Sequence, residues 1–142
     1  MFKRICVGAL TVLVSVALAS CGASTNPQPA TSDAASVAEH RLVGADEFAT
    51  TIGEFDTLTV NVHVPYEGDI PGTDLSIPFD QVAEQSGRLP SDRGATIAIY
   101  CRTGPMSTTA AETLKSLGYT DVVELEGGMK AWQASGRPLV GN

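Results

Sequence analysis

The chain of 142 residues is poor in positive charge, in histidine and in cysteine. Nine Lys and Arg stand against sixteen Asp and Glu, a formal charge of −7. Such a surface repels phosphate backbones and excludes a nucleic-acid-binding role. The histidines His40 and His63 and the cysteines Cys6, Cys21 and Cys101 are scattered, with no cluster at metal-ligand spacing. No two carboxylates are spaced for paired acid–base work, and no internal repeat is present. Apolar residues nevertheless make up 43% of the chain, enough for the core of one ordinary domain with a short extension.

The extension lies at the front. Lys3 and Arg4 precede an uncharged run from Ile5 to Ala19. This run is shorter than the roughly 20 residues of a membrane span but fits the apolar region of a signal peptide. It ends in Leu18-Ala19-Ser20-Cys21, which resembles the lipobox of bacterial lipoproteins. The resemblance implies a lipoprotein signal peptide at residues 1–20 and a lipidated Cys21 carrying acyl chains such as palmitate. The domain is then expected outside the cytoplasm, lipid-anchored to a cell membrane. Cleavage leaves seven basic side chains against sixteen acidic ones, a charge of −9. An anionic membrane surface repels such a body, so the lipid alone must hold it. Residues 22–38 are rich in Ser, Thr, Ala, Pro and Asn, and Val37 is their only large apolar residue. They read as a flexible tether reaching roughly 20–25 Å. The expected organisation is signal peptide 1–20, lipidated cysteine and tether 21–40, and one domain 41–142, with nothing that demands more than a monomer.

Within the domain, strand and helix patterns alternate. Leu58, Val60, Val62 and Val64 alternate with polar residues at a period of two, which puts His63 on the polar side. A short apolar piece at Leu75 to Pro78 follows a turn-rich stretch. Ala95 to Tyr100 is nearly continuous apolar, as a strand covered on both faces would be. Asp121 to Leu125 is a further strand. Phe48 and Ile52 mark a helix closed by Gly53, and Asp80 to Ser86 marks a weaker one. Ser107 can cap a helix carrying Ala110, Ala111, Leu114 and Leu117 on one face and stopped by Gly118. Met129 and Trp132 share a short helix ended by Gly136, with Trp132 as a core anchor. Strands separated by helices imply an α/β fold with a parallel sheet and helices on both faces. Ligands of such sheets sit at the carboxyl ends of the strands.

Cys101 occupies that position. The loop Cys101-Arg102-Thr103-Gly104-Pro105-Met106 joins the most apolar strand to a helix beginning near Ser107. Converging backbone N–H groups and a helix N-terminus both favour thiolate over thiol, and thiolate is the nucleophile. Gly104 supplies the backbone freedom for the curl, and Arg102 the loop's only formal positive charge. The bland reading is a buried cysteine packed like a small hydrophobe.

Several motifs together resemble the rhodanese family: the loop at residues 100–107, Leu117-Gly118-Tyr119, and Gly127-Gly128-Met129-Lys130-Ala131-Trp132. Gly68-Asp69-Ile70-Pro71-Gly72 followed by Ile77-Pro78 adds a fourth. The resemblance implies a small α/β domain with a parallel sheet of about five strands. It also implies sulfur transfer through a persulfide on Cys101, with no metal or organic cofactor. The substrate-binding loop would be Arg102, Thr103, Gly104, Pro105, Met106 and Ser107. The donor would be thiosulfate, a persulfide or a polysulfide, and the acceptor a thiol or cyanide.

The chain departs from the family pattern in places. Met106 stands where many members carry a basic residue, and Pro105 lacks an N–H. Asn61-Val62-His63 replaces the usual Asp-x-Arg, and Asp69 replaces the usual histidine. With one loop arginine on an acidic body, thiosulfate is expected to be a weaker donor than a persulfide. A related phosphatase would need an arginine where this chain has Ser107, which argues against that chemistry. The remaining alternative is a non-catalytic binding or redox-sensing module. His40, at the tether's end, is expected to have no particular role.

Overall fold

The computed structural model describes residues 39–141. The signal peptide, Cys21 and the tether through residue 38 lie outside the described residues. Five strands form one parallel sheet: β1 (Glu39–Val43), β2 (Leu58–Asn61), β3 (Leu75–Ser76), β4 (Ile97–Tyr100) and β5 (Asp121–Leu125). Their spatial order is β1-β5-β4-β2-β3. Every residue of β4 is buried. A central parallel strand is covered on both faces, so a continuous apolar run suits it where an alternating one would not.

Three helices cover the faces: α1 (Ala45–Thr51), α2 (Pro105–Ser116) and α3 (Gly128–Ala134). On one face, Ala110, Ala111 and Leu114 of α2 pack on Val60, Ile97, Ile99 and Val122. On the other, Phe48 of α1 and Met129 and Trp132 of α3 pack on Ala98, Tyr100, Val123 and Leu125. The expected parallel sheet of about five strands, with helices on both faces, is therefore the observed architecture. Trp132 is buried in that second cluster, and its indole N–H donates to the Pro138 carbonyl at 2.9 Å.

Four local readings change. The sheet begins at Glu39, so the expected tether gives up its last two residues to β1, which runs parallel beside β5. β1 lies at the sheet edge, where pairing comes from backbone groups and the sequence carries no apolar alternation. β2 ends at Asn61, short of the expected Val64. Val62 still bonds to both sides, its N–H donating to the Tyr100 carbonyl and its carbonyl accepting the Phe79 N–H, and Pro65 has no N–H with which to continue. Thr59 and Asn61, on the expected polar side of β2, are as buried as Val60, with Asn61 closed over by the loop that carries Gly68 and Asp69. The segment Asp80 to Ser86 forms turns leading into a single 3₁₀ turn, Ser86–Arg88, with Val82 its one apolar residue in the core. Finally, α2 starts at Pro105 with Gly104 as its N-cap, two residues before the expected start. Proline at the first helical position wastes no hydrogen bond, and this frees Ser107 from the capping role.

Candidate active site

The carboxyl end of β4 delivers Cys101 into the middle of the sheet's upper edge, directly ahead of α2. The residue is 1% exposed. Its sulfur accepts the Gly104 N–H at 3.0 Å and lies 3.4 Å from Ser107 Oγ. Gly104 reaches this position with φ +122°, a conformation that side chains disfavour. Burial pushes the Cys101 thiol up. The Ser107 hydroxyl and the N–H groups of Ser107, Gly104 and Thr103 outweigh it and hold the thiol below its ordinary value. The expected electrostatic cradle is present, and it is made of main-chain dipoles and one hydroxyl, with no formal charge.

The loop is held from behind by α3. Met129 N–H donates to the Cys101 carbonyl at 2.9 Å and Lys130 N–H to the Arg102 carbonyl at 3.1 Å. With these carbonyls tied back, the loop's N–H groups are left to face the sulfur. Gly128 permits the approach: a Cβ there would sit 2.3 Å from the Cys101 carbonyl oxygen. The sequence motif marked this Gly-Gly pair, and its role as the loop's backstop emerges only in three dimensions.

Arg102 does not face the sulfur freely. Its guanidinium pairs with the Glu67 carboxylate. Glu67, Arg102, Met129, Lys130, Gln133 and Leu139 line a cleft of about 200 Å³ beside the loop. Leu139 reaches it because the C-terminal segment is tied down by a bridge between Asp69 and Val140. Thr103 and Pro105 are exposed, and Met106 is half-buried against the core under α2. Ser107 is buried, its hydroxyl 2.7 Å from both the Gly104 carbonyl and Glu124 Oε1.

Two of the substituted positions also come together. Asn61 donates its side-chain amide to Asp69 Oδ1 at 2.8 Å and to the Gly68 carbonyl at 3.0 Å. Two departures from the family pattern thus satisfy each other. His63 is not solvated as its place in the alternation suggested. Its side chain is 8% exposed, neither ring nitrogen makes a hydrogen bond, and Glu67 Oε2 lies 3.4 Å from Nε2. Burial, and then the Arg102 charge, lower its basicity below the ordinary 6.5. Among the described residues, no three His, Cys, Asp or Glu side chains are grouped to hold a metal ion.

A parallel five-stranded sheet with a cysteine loop between its central strand and a helix defines a small α/β domain of the rhodanese type. The rhodanese-like domain model matches residues 59–135. The chain belongs to the rhodanese-like domain family. It is 36% identical over 88 residues to a sulfurtransferase of Allochromatium vinosum, covering 60% of this chain and 79% of that protein. Over 73 residues it is 34% identical to the thiosulfate sulfurtransferase PspE of Escherichia coli, covering 50% of this chain and 69% of that one. Among solved structures, a rhodanese-related protein of Thermoplasma volcanium superposes with a TM-score of 0.60 at 29% identity, covering 70% of this chain and 97% of the other.

Proposed function

We propose that this chain is a membrane-anchored, extracytoplasmic sulfurtransferase that carries a sulfane sulfur on Cys101. The observation that carries the reading is the cradle around the Cys101 sulfur, which favours thiolate at a position otherwise closed to solvent. Membership of the rhodanese-like family and similarity to named sulfurtransferases support it. The Cys101 thiolate attacks the outer sulfur of a persulfide donor. A bond forms between the two sulfurs as the donor's S–S bond breaks, and the donor leaves as a thiolate that takes up a proton. An acceptor thiolate then attacks the outer sulfur of Cys101–S–SH and leaves with it, restoring the Cys101 thiolate. With cyanide as acceptor the product is thiocyanate. Backbone N–H groups of the loop stabilise the negative charge on the carried sulfur.

A persulfide or polysulfide is the preferred donor. Arg102 is already neutralised by Glu67, and Met106 brings no charge, so a doubly anionic thiosulfate finds little positive potential at the loop. The lipobox sequence supports anchoring through Cys21.

The 1% exposure of Cys101 favours a second reading, a non-catalytic binding or redox-sensing module. Intact-mass measurement after exposure to a low-molecular persulfide separates the two. Sulfur transfer adds the mass of one sulfur atom, and Cys101→Ser abolishes the gain. An unchanged mass with every donor class overturns the enzyme reading. Radiolabelled palmitate incorporated in a bacterial host, and lost in Cys21→Ala, tests the anchor.

A further inference from the structure

Glu124 is a carboxylate buried to 1% exposure in the middle of the sheet, close to a sulfur that must become negative. Its Oε2 meets His40 Nε2 at 2.6 Å, and its Oε1 accepts Ser107 Oγ at 2.7 Å and Thr108 Oγ1 at 3.0 Å. A continuous line of contacts therefore runs from His40 through Glu124 and Ser107 to Cys101. His40, 21% exposed, is the member of this line that touches solvent appreciably.

The Ser107 hydroxyl has one proton and three acceptors within reach: the Gly104 carbonyl, Glu124 Oε1 and Cys101 Sγ. An ionised Glu124 claims that proton by a charge-assisted bond. The hydroxyl then offers the sulfur only lone pairs, which suit S–H. The carboxylate charge, one hydroxyl away, opposes a thiolate as well. When His40 carries a second ring proton it balances that charge, and the Ser107 proton can turn to the sulfur.

We propose that His40 and Glu124 are positioning residues for the nucleophile, deciding between them whether the single Ser107 hydroxyl proton reaches Cys101 Sγ. The inference deepens the proposed function and rests on Cys101 being its nucleophile. The surroundings bring few other charges to the line. Leu42 of β1 and Ile99 of β4 flank Glu124 in the sheet. On α2, Glu112 and Lys115 are exposed. Arg41 and Asp121 pair with each other at 3.4 Å, and Arg102 is held by Glu67.

The test reads the sulfur without any sulfur donor, by thiolate ultraviolet absorbance and by iodoacetamide alkylation across pH. In Glu124→Gln, the amide oxygen faces His40 and its NH₂ group faces Ser107, releasing the hydroxyl proton. Ionisation of Cys101 then moves about one pH unit lower, roughly tenfold more thiolate on the acid side. His40→Gln alone leaves Glu124 without a partner that can gain charge. It moves Cys101 ionisation higher, and in the Glu124→Gln background it adds nothing. A folded Glu124→Gln variant whose titration overlays the wild type overturns the inference. Should that variant not fold, His40→Gln decides, and a curve superimposed on wild type overturns it equally. Because these readouts involve no transfer, a chain that never gains sulfur mass can still show the coupling, and a sulfur-transferring chain can lack it.

Discussion

Glu67 occupies the guanidinium of Arg102 and so cancels the one formal positive charge in the cysteine loop. Both side chains are more than a third exposed, so the pair contributes within about 1 kcal/mol to stability. Its effect is on anions. Glu67→Gln should free Arg102 toward the cleft and lower the KM for thiosulfate about three- to tenfold. The kcat with an uncharged polysulfide should hardly change, and the gain should shrink as salt rises. Steady-state kinetics at two ionic strengths check this, and an unchanged thiosulfate KM would remove the electrostatic argument for donor choice.

The depressed Cys101 ionisation has a consequence for stability with a fixed sign. Between the folded value and the higher unfolded value, the unfolded chain binds the proton and the folded chain does not. Stability therefore rises with pH across that window. The contribution is fully present above the unfolded thiol value and is lost as pH falls through the folded one. Wild type minus Cys101→Ser, measured by denaturant unfolding, should be flat below the folded value and climb above it. A difference that falls with rising pH would mean the cradle favours thiol.

Gly128 tests the backstop independently of any charge. Its φ is +57°, and an added Cβ would meet the Cys101 carbonyl oxygen at 2.3 Å and the Arg102 carbonyl carbon at 2.7 Å. Both contacts are backbone, so no side chain can swing away. Gly128→Ala should destabilise the domain by more than about 2 kcal/mol. Alkylation of Cys101 should also slow in whatever folds, as the carbonyls held by Met129 and Lys130 are pushed back toward the sulfur. Gly136→Ala, also at positive φ but with open space around it, separates strain alone from displacement of the loop.

These tests draw on features of unequal visibility in the sequence. The apolar run of β4 and the Cys101 loop were legible because they are local. Burial on both faces writes itself as continuous hydrophobicity, and a strand-to-helix curl needs Gly104 at one position. β1 was not legible, since an edge strand pairs through its backbone and Glu-His-Arg-Leu-Val has no strand signature. The partnership of His40 with Glu124 joins residues 84 apart and that of Ser107 with Glu124 residues 17 apart, so only the sheet order brings them together. Ser107 has the residue type of a helix cap, but Pro105 moves the helix start ahead of it and leaves Ser107 inside the first turn for a different task. The burial of His63 shows that alternation implies an open face only where nothing covers it.

His63 offers the last prediction, on the acid side. Its ring is buried beside Arg102, and both effects favour the neutral form. Below the ordinary value of 6.5 the unfolded chain takes up a proton that the folded chain resists. Stability should therefore fall as pH drops through that value toward the lower folded one. Glu67, 3.4 Å from Nε2, offsets part of this once the ring is charged, so neutralising Glu67 should steepen the loss. His63→Gln, which cannot gain charge, should flatten the stability profile between about pH 7 and pH 5, and Glu67→Gln should sharpen it. Denaturant midpoints for the three proteins across that range make the comparison. Parallel curves would mean that the ring accepts its proton as freely in the folded state as in the unfolded one, and the burial argument for His63 would fail.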